Sequence, residues 1–353
     1  MPTYAPASAT VTYTPAILAT LNEYLNETLI PQGYVKTLFT GLLFGNQPGN
    51  EGLGGLARPA VKLPSFRRPE RKTGEGTQAE AILNFETAGN MQAFYDLASL
   101  NTSINQGGTK IFTPWAHYST YVAQARTQRV ENSGAGKLYD IYKSQLEQNT
   151  RHAFRKLETD LVGSNTDVNH GTGQDELPGV QHWNASSPAT GTQHGLNRAT
   201  YTPFRNQTTT TASFAATGLD DMETLHYALA GTNGNESADV IITDDTQHAR
   251  FSKQAMAIHR LVGSLQSPDL GVSGTLYFKG IPLVWTPDWP SGRMDWFNTG
   301  HIRPMVLAGC DWEQETPGKP NNVAIDGEKR WYFTGAVLTL RPETNGVHII
   351  SAA

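Results

Sequence analysis

Apolar residues recur every three or four positions in several stretches of the chain, and this spacing predicts amphipathic helices. The clearest stretch is Lys137–Val162, where Leu138, Leu146 and Leu157 fall near one face of the predicted helix. At about 1.5 Å per residue, this helix would be about 39 Å long, enough to form the spine of a domain. Further helices are predicted at Pro15–Leu29, at Leu219–Ala230 with Thr217 as its cap, and at Asp245–Leu261.

Other stretches are rich in β-branched and aromatic residues, which predicts strands. These are Lys110–Val122, Arg198–Thr209, Asp239–Thr243, Thr275–Trp285, Met294–Phe297, Ile302–Leu307 and Arg330–Leu340. The predicted helices and strands do not alternate as a regular βαβ repeat. The predicted class is therefore α+β with mixed sheets.

The segment Gly45–Glu80 holds seven glycines, four prolines and only five large apolar side chains, so it cannot form a core of its own. Long segments of this kind are functional loops or are disordered. Two strand-like segments, Ala60–Phe66 and Lys110–Val122, favour an extended hairpin arm that projects from a domain. Disorder is the alternative interpretation.

Composition narrows the class further. A chain of 353 residues with 38% hydrophobic content can bury a full core. The single cysteine, Cys310, excludes an intramolecular disulfide, and we expect a buried structural thiol there. Neither a signal peptide nor an apolar run of bilayer length occurs, which predicts a cytosolic product that does not enter a membrane. The net charge of −5 argues against a chain that wraps nucleic acid.

Motifs for catalysis or cofactor binding are weak. Gly52–Ala57 and Gly74–Ala79 fit G-x-G-x-x-A, but neither links a predicted strand to a helix, as phosphate binding requires. The histidines show no metal-ligand spacing and are expected on the solvated surface, and no nucleophile elbow occurs. Asp244, Asp245 and His248 could form an acid–base group, but acids at a helix N-terminus explain them better. The sequence therefore predicts no catalytic residue, no metal site and no cofactor.

One charge cluster stands out in this acidic chain. It has a single acid, Glu70, among six basic residues: Arg58, Lys62, Arg67, Arg68, Arg71 and Lys72. We expect this basic cluster to dock on an acidic surface of a neighbouring copy, because opposite potentials set the register and rate of association. A solvated loop is one alternative. Nucleic-acid contact is another, but it needs interleaved aromatic residues, of which Phe66 is the only one.

The order and spacing of several segments carry a family resemblance over about residues 60–349. They are Tyr95–Asn101, Thr109–Trp115, the helix from Lys137, Leu177–Gly179, Asn197–Gln207, Phe278–Pro282 with Trp285, Pro290–Gly292 and Phe297–Thr299. Taken together, these segments resemble the major capsid protein family of tailed bacteriophages, which has the Hong Kong 97 fold.

The resemblance implies a particular domain organisation. Residues 1–57 would form an N-terminal arm that gains its contacts from other copies, and 58–124 an extended hairpin called the E-loop. A peripheral domain would comprise 125–190 with its spine helix at 137–162, an axial domain 191–304, and a return to the peripheral domain 305–353. Little sequence precedes the arm, which suggests a separate scaffold or none. Some relatives join their subunits by a lysine–asparagine isopeptide bond; Lys62 and Lys72 lie on the E-loop implied here, but the sequence alone singles out no reacting pair.

The resemblance also implies a structural protein rather than an enzyme. Its partners would be further copies, in pentamers and hexamers of an icosahedral shell, with a portal and scaffold or decoration proteins. The shell would enclose double-stranded DNA without sequence-specific binding, in a virion assembled in the cytoplasm of a bacterial host. Two alternatives remain open: the shell of a cellular nanocompartment with the same fold, and a cytosolic hydrolase.

Overall fold

The computed structural model describes residues 38–44, 72–84, 108–125, 141–232, 238–262, 276–315 and 325–350. The chain divides into two compact units. One contains the described residues 120–125, 141–152, 314–315 and 325–331, and the other contains the rest. The second unit holds almost all of the buried apolar residues, and the fold is therefore defined within it.

Five α-helices are described: α1 (Leu38–Phe44), α2 (Ile141–Val162), α3 (Val180–Trp183), α4 (Phe214–Thr232) and α5 (Asp245–Val262). The first strands in chain order are β1 (Lys72–Gly74), β2 (Gln78–Asn84), β3 (Gly108–Pro114), β4 (Ala116–Ala125), β5 (Thr192–Gln193), β6 (Leu196–Asn197) and β7 (Gln207–Thr211). They are followed by β8 (Val240–Thr243), β9 (Leu276–Phe278), β10 (Ile281–Trp285), β11 (Arg293–Phe297), β12 (Ile302–Glu315), β13 (Ile325–Thr339) and β14 (Gly346–Ile350).

The strands form two larger sheets and two hairpins. A six-stranded mixed sheet has the order β7-β14-β11-β8-β10-β9, and a four-stranded sheet has the order β1-β12-β13-β4. The pairs β2-β3 and β5-β6 are antiparallel hairpins. In the six-stranded sheet, β14 runs parallel to β7 and antiparallel to β11. Mixed sheets with separate helices confirm the predicted α+β class.

Strand β8 lies inside the six-stranded sheet, and all four of its residues are buried. Because successive side chains of a strand point to opposite faces, Ile241 packs on one face, while Val240 and Ile242 pack on the other. Ile241 belongs to a core that contains Phe214, Met222, Leu225 and Leu229 of α4 and Phe251 of α5. Val240 and Ile242 belong to a second core, with Phe39, Leu157, Leu161, Trp183, Phe297 and Phe333.

Helix α1 corrects part of the arm prediction. Residues 38–44 fall in the segment expected to gain its contacts from other copies, yet Phe39, Leu43 and Phe44 are buried in the core of their own subunit. The carboxylate of Glu158 in α2 accepts hydrogen bonds from the N–H groups of Phe39 at 2.9 Å and Thr40 at 2.6 Å. Glu158 thus satisfies two N–H groups that a helix start leaves unpaired.

Several predicted elements are confirmed. Helix α2 follows the predicted spine helix from Ile141 onward, and α5 and β8 lie within one residue of their predicted bounds. The predicted helix Pro15–Leu29, the strand Ala60–Phe66 and residues 137–140 lie outside the described residues. In the predicted strand Thr275–Trp285, the described residues 276–285 form a hairpin, β9-β10, rather than one strand.

Other predictions were wrong. Most of Arg198–Thr209 is not a strand: Thr202–Phe204 forms a 3₁₀ turn that Pro203 favours, and the strand begins only at Gln207. Thr217 does not cap α4, which begins earlier at Phe214, and its hydroxyl instead bonds Thr211 and Asp221. Cys310 lies within β12 and is half-buried.

Candidate functional site

Of the predicted basic cluster, Lys72 is the one member among the described residues. It begins β1 and is aligned with Met305 of the parallel strand β12. The other members, Arg58, Lys62, Arg67, Arg68 and Arg71, lie outside the described residues. C-terminal to the cluster, β2 and β3 form an antiparallel hairpin, in which Gly108–Pro114 pairs with Gln78–Asn84. The strand expected at Ala60–Phe66 lies outside the described residues, so its pairing stays a prediction.

The two faces of the β2–β3 hairpin differ. On the inner face, Ala79, Ile111 and Thr113 are buried, and the first two belong to a third core with Leu196, Phe204, Ala336 and Leu338. On the outer face, Ile82 is 84% exposed and Phe112 is 39% exposed. A mostly exposed isoleucine on the outer face of this hairpin is apolar area that a partner surface could bury.

Charged side chains on the outer face pair across the hairpin. Lys110 lies 2.5 Å from the carboxylate of Glu80, and Gln78 donates a hydrogen bond to the same oxygen at 2.5 Å. The hydrogen bond from Lys110, and then that from Gln78, lower the pKa of Glu80. Because this ion pair is exposed to solvent, it contributes little to the stability of the hairpin. Since the two charges are already paired with each other, the apolar Ile82 is the feature of the outer face that is available to a partner.

The root of the hairpin is held by Trp115, which follows β3. Its indole Nε1 donates a hydrogen bond to the carbonyl of Gly76 at 3.0 Å, and the ring is buried. Gly74 ends β1 and Gln78 begins β2, so the Gly74–Ala79 motif forms a strand, a turn and a strand. No helix follows this motif, and the N-terminal helix amides that bind a phosphate are lacking there. Gly52–Ala57 lies outside the described residues.

The turn between β5 and β6 contacts β3 from the side opposite β2. The N–H of Phe112 donates a hydrogen bond to the carbonyl of His194 at 3.2 Å. The Phe112 ring lies so close to Gly195 that an added Cβ would fall 2.6 Å from a ring carbon. Sequence reasoning missed this contact because β5 and β6 have only two residues each.

Behind this turn lies a buried polar cluster. His194 accepts a hydrogen bond from the N–H of Thr339 at 3.1 Å on Nε2, which also lies 3.0 Å from the Thr339 hydroxyl. Asp167 accepts a hydrogen bond from the N–H of His194 at 2.6 Å, and its other oxygen lies 3.5 Å from the rings of both His182 and His194. Burial alone raises the pKa of Asp167, but the two imidazoles outweigh it and hold the pKa well below its usual range.

This cluster places a hydroxyl, an imidazole and a carboxylate in line, as in a hydrolase. Thr339 is fully buried and His194 is 1% exposed, so no substrate reaches the hydroxyl of this arrangement. The contacts instead join the loop after α2 to β13. The expectation that the histidines are surface residues is therefore wrong for His194, and also for His348, which is fully buried in β14.

The other candidate groups have structural roles. A carboxylate oxygen of Asp244 accepts a hydrogen bond from the N–H of Gln247 at 3.2 Å, which confirms that it caps α5. His248 instead packs against the Trp285 ring. His170 is paired with Asp175 and His182 with Asp167, so the two histidines bind different carboxylates.

Metal-binding and membrane-spanning features are both lacking in the described part of the chain. Those residues contain no group of three or more His, Cys, Asp or Glu side chains arranged to hold a metal ion. Across the same residues, every helix is too short or too polar to cross a membrane.

Comparison with known proteins identifies the fold. No protein-family model matches the sequence, and no curated protein matches it either. Among solved structures, the capsid asymmetric unit of cyanophage A-1(L) is similar at 14% identity and a TM-score of 0.59, over 86% of this chain and 98% of that one. The capsid of an empty GTA particle is similar at 14% identity and a TM-score of 0.54, over 88% and 96%.

A third similar structure is the capsid of the Myoviridae phage XM1, at 11% identity and a TM-score of 0.50, over 78% of this chain and 87% of that one. The class that the fold defines is thus the α+β capsid fold of tailed phages. More particularly, it is the Hong Kong 97-like fold that the sequence resemblance implied, and that prediction is confirmed.

Proposed function

We propose that this chain is the major capsid protein of a tailed phage: a structural, non-enzymatic subunit that assembles through pentamers and hexamers into an icosahedral head. The observation that carries the proposal is the shared fold, which extends over 86% of this chain and 98% of the cyanophage A-1(L) capsid chain.

The β2–β3 hairpin supports a mechanism of assembly. Its inner face packs against its own subunit, while Ile82 on the outer face is 84% exposed and would be buried by a neighbouring copy. Fully burying such a side chain contributes about 1.5–3 kcal/mol. Contacts of this size, repeated around each ring and between rings, give a cooperative and stable shell from individually modest interfaces.

The proposed partners follow from the same role. They are further copies of this chain, a portal, and scaffold or decoration proteins, with the finished virion as the location and the bacterial cytoplasm as the place of assembly. Double-stranded DNA would be enclosed without sequence-specific binding. The net charge of −5 fits such an interior, because a strongly basic wall would retain the packaged DNA.

The domain organisation proposed is an arm over 1–57, an E-loop over 58–124, a peripheral domain over 125–190 and an axial domain over 191–304. The hairpin β2–β3 supports the E-loop, α2 supports the spine helix, and five strands between 207 and 297 support the axial domain. Residues 305–353 need one amendment: β14 pairs with β7 and β11, so 346–350 belong to the axial sheet rather than to the peripheral domain.

Within this organisation the basic cluster would lie on the ascending part of the E-loop. We propose that it docks on an acidic surface of a neighbouring copy, as the charge contrast with the rest of the chain suggests.

The decisive experiment is negative-stain electron microscopy of the purified protein together with its sedimentation profile. Closed icosahedral particles are the expected result. A uniform species of a few subunits, with no rings or shells under assembly-promoting salt and crowding conditions, would overturn the proposal. Particles that co-purify with an enzyme cargo instead of DNA would identify a nanocompartment shell.

A further inference from the structure

The β2–β3 hairpin needs support beyond its own hydrogen bonds. It is a two-stranded sheet, and such hairpins are marginal in stability when isolated. The third core holds its inner face through Ala79 and Ile111. At the edge of β3 that is not paired with β2, the hairpin contacts the β5–β6 hairpin, Thr192–Asn197, which we call the clasp.

The clasp contacts β3 through two interactions, both at Phe112. The N–H of Phe112 points away from β2 and bonds the carbonyl of His194 at 3.2 Å, and the Phe112 ring lies against Gly195. His194 has φ 50° and Gly195 has φ 80°, the pair of positive values that a type I′ hairpin turn requires. The ring can approach this closely because Gly195 has no side chain.

The clasp is fixed from behind, so it can act as a rigid support. The His194 side chain is buried between Asp167 and Thr339, with its main-chain N–H on Asp167 and its Nε2 on Thr339. Arg198, also buried, donates hydrogen bonds from Nε at 3.1 Å and from Nη2 at 2.6 Å to the Gln193 side chain. A buried hydrogen-bonded network of this kind holds one conformation.

We propose that the clasp sets the orientation of the β2–β3 hairpin on its own subunit, with Gly195 as the positioning residue, and that this orientation affects particle size. Phe112 lies near the end of β3 that leads to Trp115, so a small rotation at this contact displaces the opposite end of the described hairpin, at Asn84 and Gly108, by a larger distance. The inference rests on the proposed function, because hairpin direction affects particle size only in a shell.

The first test measures the purified protein before assembly. Gly195→Ala places a methyl group against the Phe112 ring, and we expect amide hydrogen exchange over residues 108–114 to rise tenfold or more. Gly191→Ala is the matched control: Gly191 has φ 85°, so it carries the same backbone strain, but nothing lies within 4 Å of an added Cβ. The control should leave exchange over 108–114 unchanged. Equal exchange in the two variants would overturn the clasp.

The second test measures particle diameters after assembly. We expect Gly195→Ala to give a broader or shifted size distribution than the wild type, and Gly191→Ala to give the wild-type distribution. Phe112→Ala keeps the turn and removes the ring, so it serves if Gly195→Ala fails to fold, and the same broadening is expected. Wild-type diameters from both Gly195→Ala and Phe112→Ala would overturn the proposal. If the wild type forms no particles, the proposed function fails, while the exchange comparison still decides whether the clasp holds the hairpin.

Discussion

The guanidinium of Arg293 and the carboxylate of Asp295 form a bidentate ion pair within strand β11, with N···O distances of 2.7 and 2.8 Å. Asp295 is fully buried, and it also accepts hydrogen bonds from Trp289 at 2.9 Å and Asn184 at 2.6 Å. The Asn184 side chain then donates to the carbonyl of Gly346 in β14 at 2.8 Å. This network therefore ties the loop after α3 to two adjacent strands of the six-stranded sheet.

Replacing Asp295 by Asn should destabilise the subunit strongly. The substitution keeps the size of the side chain but leaves the Arg293 guanidinium buried without a counter-charge, which costs about 3–5 kcal/mol. The measurement is the urea midpoint of the purified subunit. Asp220→Asn, at an exposed position on α4, is the control and should change stability by less than about 0.5 kcal/mol. Equal midpoints for the two variants would contradict this account.

Replacing Glu158 by Gln should loosen helix α1. A carboxamide has one acceptor oxygen, so its NH₂ group would face the N–H of Phe39 or Thr40, and a buried donor would lose its partner at about 1–3 kcal/mol. We expect amide exchange over 38–44 to rise about tenfold, since about 1.4 kcal/mol is a tenfold change. Thr159→Ala, on the exposed face of the same helix, should leave that exchange as it is. An increase in amide exchange that is confined to α2 would refute the role assigned to Glu158.

His348 should make the subunit sensitive to acid. Burial lowers its pKa from 6.5 to about 4, against the opposing attraction of Asp221, and neither ring nitrogen has a hydrogen-bond partner among the described residues. The unfolded chain then binds more protons than the folded one between these values, so stability is fully present above about pH 6.5 and falls as the pH decreases. The loss approaches about 3 kcal/mol below pH 4.

The check is a series of urea titrations between pH 7 and 4. The His348→Leu variant should show a smaller loss of stability in this window than the wild type, because one titrating group has been removed. Thr208→Leu, at an exposed position on the neighbouring strand β7, removes no titrating group and should keep the wild-type slope. The same slope in the His348→Leu variant and the wild type would exclude His348 as the source.

Reversing charge in the basic cluster should slow assembly. The double variant Arg67→Glu/Arg68→Glu converts the proposed attraction to a neighbouring acidic surface into repulsion, so assembly at low salt should slow about tenfold or more. The difference should shrink as salt shortens the screening length. Light scattering follows the rate, with Lys253→Glu on the exposed side of α5 as the control. Unchanged rates together with reduced DNA binding would favour the nucleic-acid alternative instead.

Strong periodicity explains which elements could be predicted from the sequence. Helices α2 and α5 carry repeated apolar positions over many turns, and β8 is a run of buried β-branched residues, so local pattern and tertiary context agree. Strand β14 was missed because it is short and places His348, a polar residue, at a fully buried position. Only the six-stranded sheet around it makes that position part of the core.

The clasp shows a different limit. The dipeptide His194-Gly195 is not one of the Asn-Gly or Asp-Gly pairs that predict a hairpin turn, and strands of two residues lie below the length at which alternation can be recognised. Its partners, Asp167, Thr339 and Phe112, are far away in the sequence, and no local rule brings them together. The arrangement of Thr339, His194 and Asp167 that resembles a hydrolase triad could not be predicted from the sequence either. Only the structure brings the three residues together and shows that the Thr339 hydroxyl is buried out of reach of a substrate.

The position of β14 has a consequence for synthesis of the chain on the ribosome. Strand β7 is paired only with β14 in the six-stranded sheet, and β14 also pairs with β11. The ribosome adds about 5–20 residues per second, and β7 must wait, with its pairing edge unfilled, until residues 346–350 have emerged. A nascent subunit therefore cannot complete this sheet early, which delays its competence to join other copies until translation has passed β14.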